Sequence, residues 1–130
     1  MKTVNDLTLL DSLIKSHNLM AILPKEALAL CELCAYERNE QILIANQPLA
    51  YYYFFVKGKL KIFQVYENGK AYLIQFYRNF DSLGEVELNT GTLTSCSVQA
   101  IETSLLIRIP MWILKEQALE YPPFLRYMAN

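Results

Sequence analysis

Histidine is almost missing from this sequence: His17 is the only one in 130 residues. Multi-histidine metal sites are therefore excluded, and any His-dependent acid–base or nucleophilic scheme would have to run through one side chain. Cysteine is scarce and odd in number, three in all, which does not make the framework of a disulfide-stapled secreted domain. Neither sign of charge prevails. Twelve basic and thirteen acidic side chains leave a net charge of −1, with no bulk attraction for a nucleic-acid backbone. Long hydrophobic runs are lacking too. The longest uncharged stretch, Gln41 to Val56, is broken by Asn46, Gln47 and Pro48 and is too short and polar to cross a bilayer. At the N-terminus, Asp6 and Asp11 stand where a signal peptide would have its apolar core. These absences predict a cytoplasmic protein with no membrane partner.

What is present is a generous supply of core. With 53% hydrophobic and 19% charged residues, the chain can form a single folded domain without a disulfide or a metal. Leu7, Leu10, Leu13 and Ile14 recur at helical spacing, with Asn5 or Asp6 available as an N-cap. A second helix is predicted from Pro24 through Ala27, Leu30, Cys31 and Cys34, failing near Arg38-Asn39. From Gln41 the period becomes two. The aromatic run Tyr51–Val56 leads past Gly58 into Lys57, Lys59 and Lys61 alternating with Leu60 and Ile62. Glu67-Asn68-Gly69-Lys70 then predicts a tight hairpin, with a return strand at Tyr72–Tyr77 pointing Tyr72, Ile74 and Phe76 to one side. Further strands are expected at Ser97–Glu102 and Ser104–Ile109, and a helix from Pro110 through Leu119 that Pro122-Pro123 ends. The last segment, Phe124–Met128, reads as a helix whose apolar residues await something to pack against, as if cut from a longer parent.

The ordered set Tyr53-Phe54-Phe55-Val56-Lys57-Gly58, Glu67-Asn68-Gly69-Lys70 and Leu83-Gly84-Glu85, with Ala100 and Pro123-Phe124-Leu125, resembles the sensor domain of the cyclic AMP receptor protein and fumarate–nitrate regulator (Crp/Fnr) superfamily of bacterial transcription factors. The resemblance implies a mainly β, jelly-roll-like double-stranded β-helix with helices at both ends. It divides the chain into an N-terminal helical segment (1–22), the barrel domain (23–121) and the start of a dimerisation helix (122–130). It also implies a homodimeric parent that reaches DNA only through a helix-turn-helix domain beyond this chain.

In that family Gly84-Glu85 would open a cassette in which a backbone N–H approaches the cyclic phosphate, the Glu takes the ribose 2′-hydroxyl, and an Arg-Ser or Arg-Ala pair clamps the phosphate. Counting back from Ala100 puts the clamp on Thr94 and Ser95, and no basic residue lies between Gly84 and Ala100. Glu87 adds a carboxylate instead. A buried phosphodiester without a cation is strongly disfavoured, so no useful affinity for cyclic AMP or cyclic GMP is expected. Glu85 keeps two readings, ribose acceptor or a purely architectural group bonded to the cassette backbone, and the second is preferred. Any effector should be small and neutral or apolar, lined by Leu60, Ile62, Ile74, Phe76, Val86 and Leu88, unless those side chains simply fill the barrel.

Cys31 and Cys34, on one face of the predicted helix, read as buried inert thiols or, failing that, as a redox pair; with only Cys96 besides, no cluster or zinc set can be assembled. His17 reads as a helix-end residue, Phe80 as filler near the pocket mouth, and the Lys57-Lys59-Lys61 stripe as a solvated face that discourages edge pairing. No catalytic residue, metal or cofactor is expected. The function implied is the effector-sensing domain of a Crp/Fnr-type regulator. The alternative is a stand-alone small-molecule-binding or regulatory interaction module.

Overall fold

Strands far apart in sequence pair to build two antiparallel sheets that face each other, and helices close the outer side of one of them. The computed structural model describes residues 1–129. The N-terminal part contains β1 (Lys2–Thr3), α1 (Leu7–Ser16), a 3₁₀ turn at Leu19–Ala21 and α2 (Lys25–Leu28). The β-rich middle contains β2 (Glu32–Tyr36), β3 (Gln41–Leu43), β4 (Tyr51–Lys57), β5 (Leu60–Val65), β6 (Ala71–Tyr77), β7 (Asp81–Leu83), α3 (Glu85–Thr90), β8 (Ser97–Ala100) and β9 (Ser104–Pro110). Two helices follow, α4 (Met111–Gln117) and α5 (Pro122–Ala129). One sheet runs β1-β2-β9-β4-β7 and the other β3-β8-β5-β6. This is the mainly β, jelly-roll-like double-stranded β-helix with flanking helices that the sequence implies.

β4 explains why there are two cores. Successive strand side chains point to opposite faces. Tyr52 and Phe54 pack on the helical side with Leu19, Leu23, Leu114 and Phe124. Tyr53 and Phe55 point between the sheets, onto Leu60, Ile62, Val98 and Leu106. β9 follows the same rule, with Ile107 and Ile109 in the helical core and Leu106 in the other. Truncating a side chain as buried as Phe54 would cost about 3–5 kcal/mol.

The second helix is much shorter than its pattern predicts. α2 ends at Leu28, and Glu32–Tyr36 is instead a strand, paired to β1 on one side and to β9 on the other. Because β2 is covered on both faces, its residues show no polar alternation, and the three-residue spacing of Cys31 and Cys34 imitates a helix. The two thiols consequently share no helical face. Cys31 lies in the helical core and Cys34 between the sheets.

The hairpin forms where expected, with the Gly69 N–H donating to the Tyr66 carbonyl (2.8 Å) and Gly69 at φ +81°. Its return strand does not keep strict alternation. Ile62 pairs with Gln75 but Phe63 pairs with Leu73, so Ile74 is the extra residue of a β-bulge. Ile74 is left 50% exposed rather than inward-facing, and Phe76, opposite Lys61, turns to the outer face at 38%. The residue of β6 that does reach the interior is Tyr77, opposite Leu60. β4 and β5 are inner strands, so the lysine stripe does not guard an edge; Lys59 and Lys61 lie over the rings of Phe76 and Phe63.

At the C-terminal end α4 stops at Gln117, and Pro122-Pro123 open α5 rather than close α4, since a first-turn proline lacks only an N–H that would be unpaired anyway. Phe124 does not wait for a partner outside. It is fully buried, its ring edge-on to Tyr52 with centroids 5.7 Å apart.

Gly58 joins β4 to β5 at φ +113°, against Ser104, whose Oγ accepts from the Lys59 N–H (3.1 Å) and donates to the Glu102 carbonyl (2.8 Å). A Cβ at Gly58 would run into that hydroxyl and lie 2.7 Å from the Ser104 Cα. Gly58→Ala should therefore destabilise the domain by about 3 kcal/mol, strain and clash together. Gly69→Ala, with nothing within 4 Å of the added Cβ, should cost only about 1 kcal/mol. Urea unfolding of the two variants side by side checks the contrast.

Candidate functional site

Where β7 hands over to α3, the chain turns through Gly84 at φ +115°. A side chain is disfavoured there on two counts. The backbone is left-handed, and a Cβ would press within 3.3 Å of Leu49 and Tyr52. Glu85 and Glu87, just after the turn, border a cavity of about 140 Å³ between the sheets. Ile62, Leu43 and Val98 form its apolar floor, with Tyr77, Ser82, Leu83, Gly84, Val86 and Cys96 around them. Among the described residues no lysine, arginine or histidine lines it.

Glu85 does not bond the cassette backbone. Its Oε1 accepts from the Tyr52 hydroxyl at 3.2 Å, reaching across to a side chain of the helical core. Burial, and then the Glu85 charge, push the Tyr52 phenol far above its usual range, so it serves as a donor. Tyr77 is pushed up to about 12 by burial, with the charges of Asp81 and Glu85 adding to it. Its hydroxyl donates to the Ser82 carbonyl (3.5 Å), while the Ser82 hydroxyl bonds the Tyr127 hydroxyl on α5.

Only part of the set expected from sequence comes together. Gly84, Glu85, Val86 and Ile62 border the cavity, with Val86 at its rim and 60% exposed. Leu88 turns the other way, into the helical core. Thr94 is buried but used elsewhere. Its Oγ1 donates to the Ile44 carbonyl (2.6 Å) and accepts from the Gln47 N–H (3.1 Å), pinning the loop between β3 and β4. Ser95 is exposed, and Ile74 is displaced by its bulge. Phe80 is not at the cavity mouth. It stacks between His17, at 4.5 Å, and Phe54, at 5.8 Å, bracing α1 on the sheet. Sequence reasoning missed Tyr77 and Tyr52. Counting the hairpin register from Leu60 would have found the first, and strict alternation in the Tyr51–Val56 run the second.

A cavity at the β7–α3 turn, bordered by Gly84-Glu85 and floored by the β3-β8-β5-β6 sheet, is the geometry of a known fold. The profile of the cyclic nucleotide-binding domain matches residues 33–120. The chain belongs to this family. As a cyclic nucleotide-binding domain it is similar in structure to the sensor domain of the transcriptional regulator DNR from Pseudomonas aeruginosa. The TM-score is 0.75 at 19% identity, over 91% of this chain and 82% of that one. It is also similar to the catabolite activator protein of Thermus thermophilus, with a TM-score of 0.70 at 19% identity, over 83% of this chain and 52% of that one. In sequence it is 36% identical over 70 residues to the lysophospholipase NTE1 of Phaeosphaeria nodorum, 54% of this chain and 5% of that protein. The chain thus spans a small part of the curated relative it matches. Among the described residues no group of His, Cys, Asp and Glu could hold a metal ion, and no helix is long and apolar enough to cross a membrane.

The three thiols of the domain differ in environment. Burial pushes Cys31 up to about 12 and raises Cys34, whereas Cys96 is partly exposed at the cavity. At pH 8 a thiol-specific reagent should modify Cys96 at once and the other two only on unfolding. The raised thiols favour the folded state below their ordinary value of 9.0, and that contribution is lost as pH climbs from there toward 12. The urea midpoint should fall over that interval.

Proposed function

We propose that this domain is the effector-sensing part of a Crp/Fnr-type bacterial transcription regulator and that its pocket does not take cyclic nucleotides. The observation that carries the second half is the charge of the cavity: two carboxylates, Glu85 and Glu87, and no cation. A phosphodiester needs donors and a neutralising guanidinium. Leaving a buried charge without its partner costs about 3–5 kcal/mol, two to four orders of magnitude in Kd. The space is also small, since ligand pockets usually run to about 300 Å³ or more and this one is about 140 Å³. A compact neutral or apolar effector fits it better.

A sensor must convey occupancy to the rest of its protein. Here Glu85 is tied to Tyr52, the Tyr52 ring abuts Phe124, and Ser82 is bonded to Tyr127. Two links therefore run from the cavity wall to α5, the helix that the family resemblance continues into a dimerisation helix and a DNA-binding domain. A ligand that moves Glu85 or Ser82 would shift α5, and effector and DNA affinity would be coupled through that movement. The protein would work in the cytoplasm as a homodimer.

Titration calorimetry with cyclic AMP and cyclic GMP should show no binding in the micromolar range, and micromolar affinity for either would overturn this reading. A mobility-shift assay of the 130-residue chain on promoter-length DNA should be blank. Tyr52→Phe, which removes the donor to Glu85, should lower stability by about 1 kcal/mol in urea unfolding.

A further inference from the structure

The net charge of −1 conceals a division. Residues 57–78, which contain the β5–β6 hairpin, carry five basic side chains (Lys57, Lys59, Lys61, Lys70 and Arg78) and one acidic, Glu67. The remaining chain carries seven basic and twelve acidic. None of the five hairpin cations is in an ion pair among the described residues, and Lys59 and Arg78 both lie over the Phe76 ring, at 5.0 and 5.3 Å.

The same hairpin leaves its apolar side chains in water. Tyr72, Leu73, Ile74 and Phe76 are exposed, as are Val65 on the facing strand and Tyr66 just beyond it. β6 is moreover the last strand of its sheet, with β5 as its single neighbour, so one row of its backbone N–H and C=O groups is unpaired. From Ala71 to Tyr77 it contains no charge, proline or glycine. Its protection against pairing is limited to the bulge at Ile74 and the cations at its two ends.

We infer that β6 is a docking edge for an extended segment of another protein, apolar in its centre and acidic at its ends, added as a fifth strand to the β3-β8-β5-β6 sheet. Three features select this occupant. Backbone groups of an added strand satisfy the open row, side chains alternate onto the exposed apolar residues, and acidic ends meet the unpaired cations. A second copy of β6 is a poor occupant. Antiparallel self-pairing centred on Ile74 would set Lys70 opposite Arg78 at both ends. A lipid surface would leave the open row of polar groups unsatisfied in hydrocarbon. A nucleic-acid strand would use the cations and rings but not the backbone edge.

The test uses the 130-residue chain and a fluorescent nonapeptide with a Val-Thr-Val-Tyr-Val centre and two acidic residues at each end, followed by anisotropy. Saturable binding is expected, together with slowed amide hydrogen exchange in β6. Affinity should fall at least tenfold when alternate central residues of the peptide are proline, which removes its N–H donors, and roughly tenfold for the Lys70→Glu/Arg78→Glu variant. The proline arm needs no variant, so misfolding cannot produce it. Absence of binding at millimolar peptide, or equal affinity for the proline peptide, would overturn the proposal. So would preferential binding to phosphatidylserine vesicles or to a thymidine oligonucleotide, or concentration-dependent protection of β6 without peptide.

Discussion

β4 is buried on both faces, and everything else in the domain is arranged around that fact. A strand with water on neither side needs apolar or aromatic residues at every position, and Tyr52-Tyr53-Phe54-Phe55 supplies four in succession. Its two neighbours, β7 and β9, hold it in register. Its alternate side chains then assign each surrounding element to one of two cores. The helices that cover Tyr52 and Phe54 and the second sheet that covers Tyr53 and Phe55 are consequences of one strand's pleat.

The cavity opens at the margin of the core between the sheets. Gly84 follows β7, the partner of β4, and brings Glu85 within reach of a hydroxyl that belongs to the helical side. A carboxylate at the cavity is thereby held by a side chain from the opposite face of the sheet, and α5 touches that same side chain through Phe124. Sheet, cavity and terminal helix share one point of contact. The electrostatics fit the same division, with carboxylates at the cavity and unpaired cations gathered on the hairpin.

Much of this is legible in the sequence. The Asn-Gly turn and the lone histidine at the end of α1 follow from local patterns, and the Gly84 turn and the double-sheet architecture from the family resemblance. What could not be read has a common cause. β2 is sandwiched between strands and packed on both faces, so its sequence carries no period, and Cys31 and Cys34 suggested a helix by coincidence of spacing. The bulge at Ile74 is set by pairing with β5, and nothing in Ala71–Tyr77 itself announces an extra residue. Counting from Ala100 puts Thr94 in the clamp, but its role depends on a loop some fifty residues earlier, at Ile44 and Gln47. Local chemistry predicts elements well, and partners from distant segments decide which face each side chain takes.

The stack of His17, Phe80 and Phe54 has a practical corollary. The single tryptophan, Trp112, is 56% exposed and so is a poor optical witness of the core. The single imidazole is parallel to a phenyl ring, at 13° between planes, and that ring is itself stacked on the wall between the two cores. Ring currents should displace its carbon-bound proton resonances from their free positions only while α1 is docked. One well-separated pair of signals, needing no label, would thus monitor the seating of the N-terminal helix during unfolding, ligand addition or partner binding.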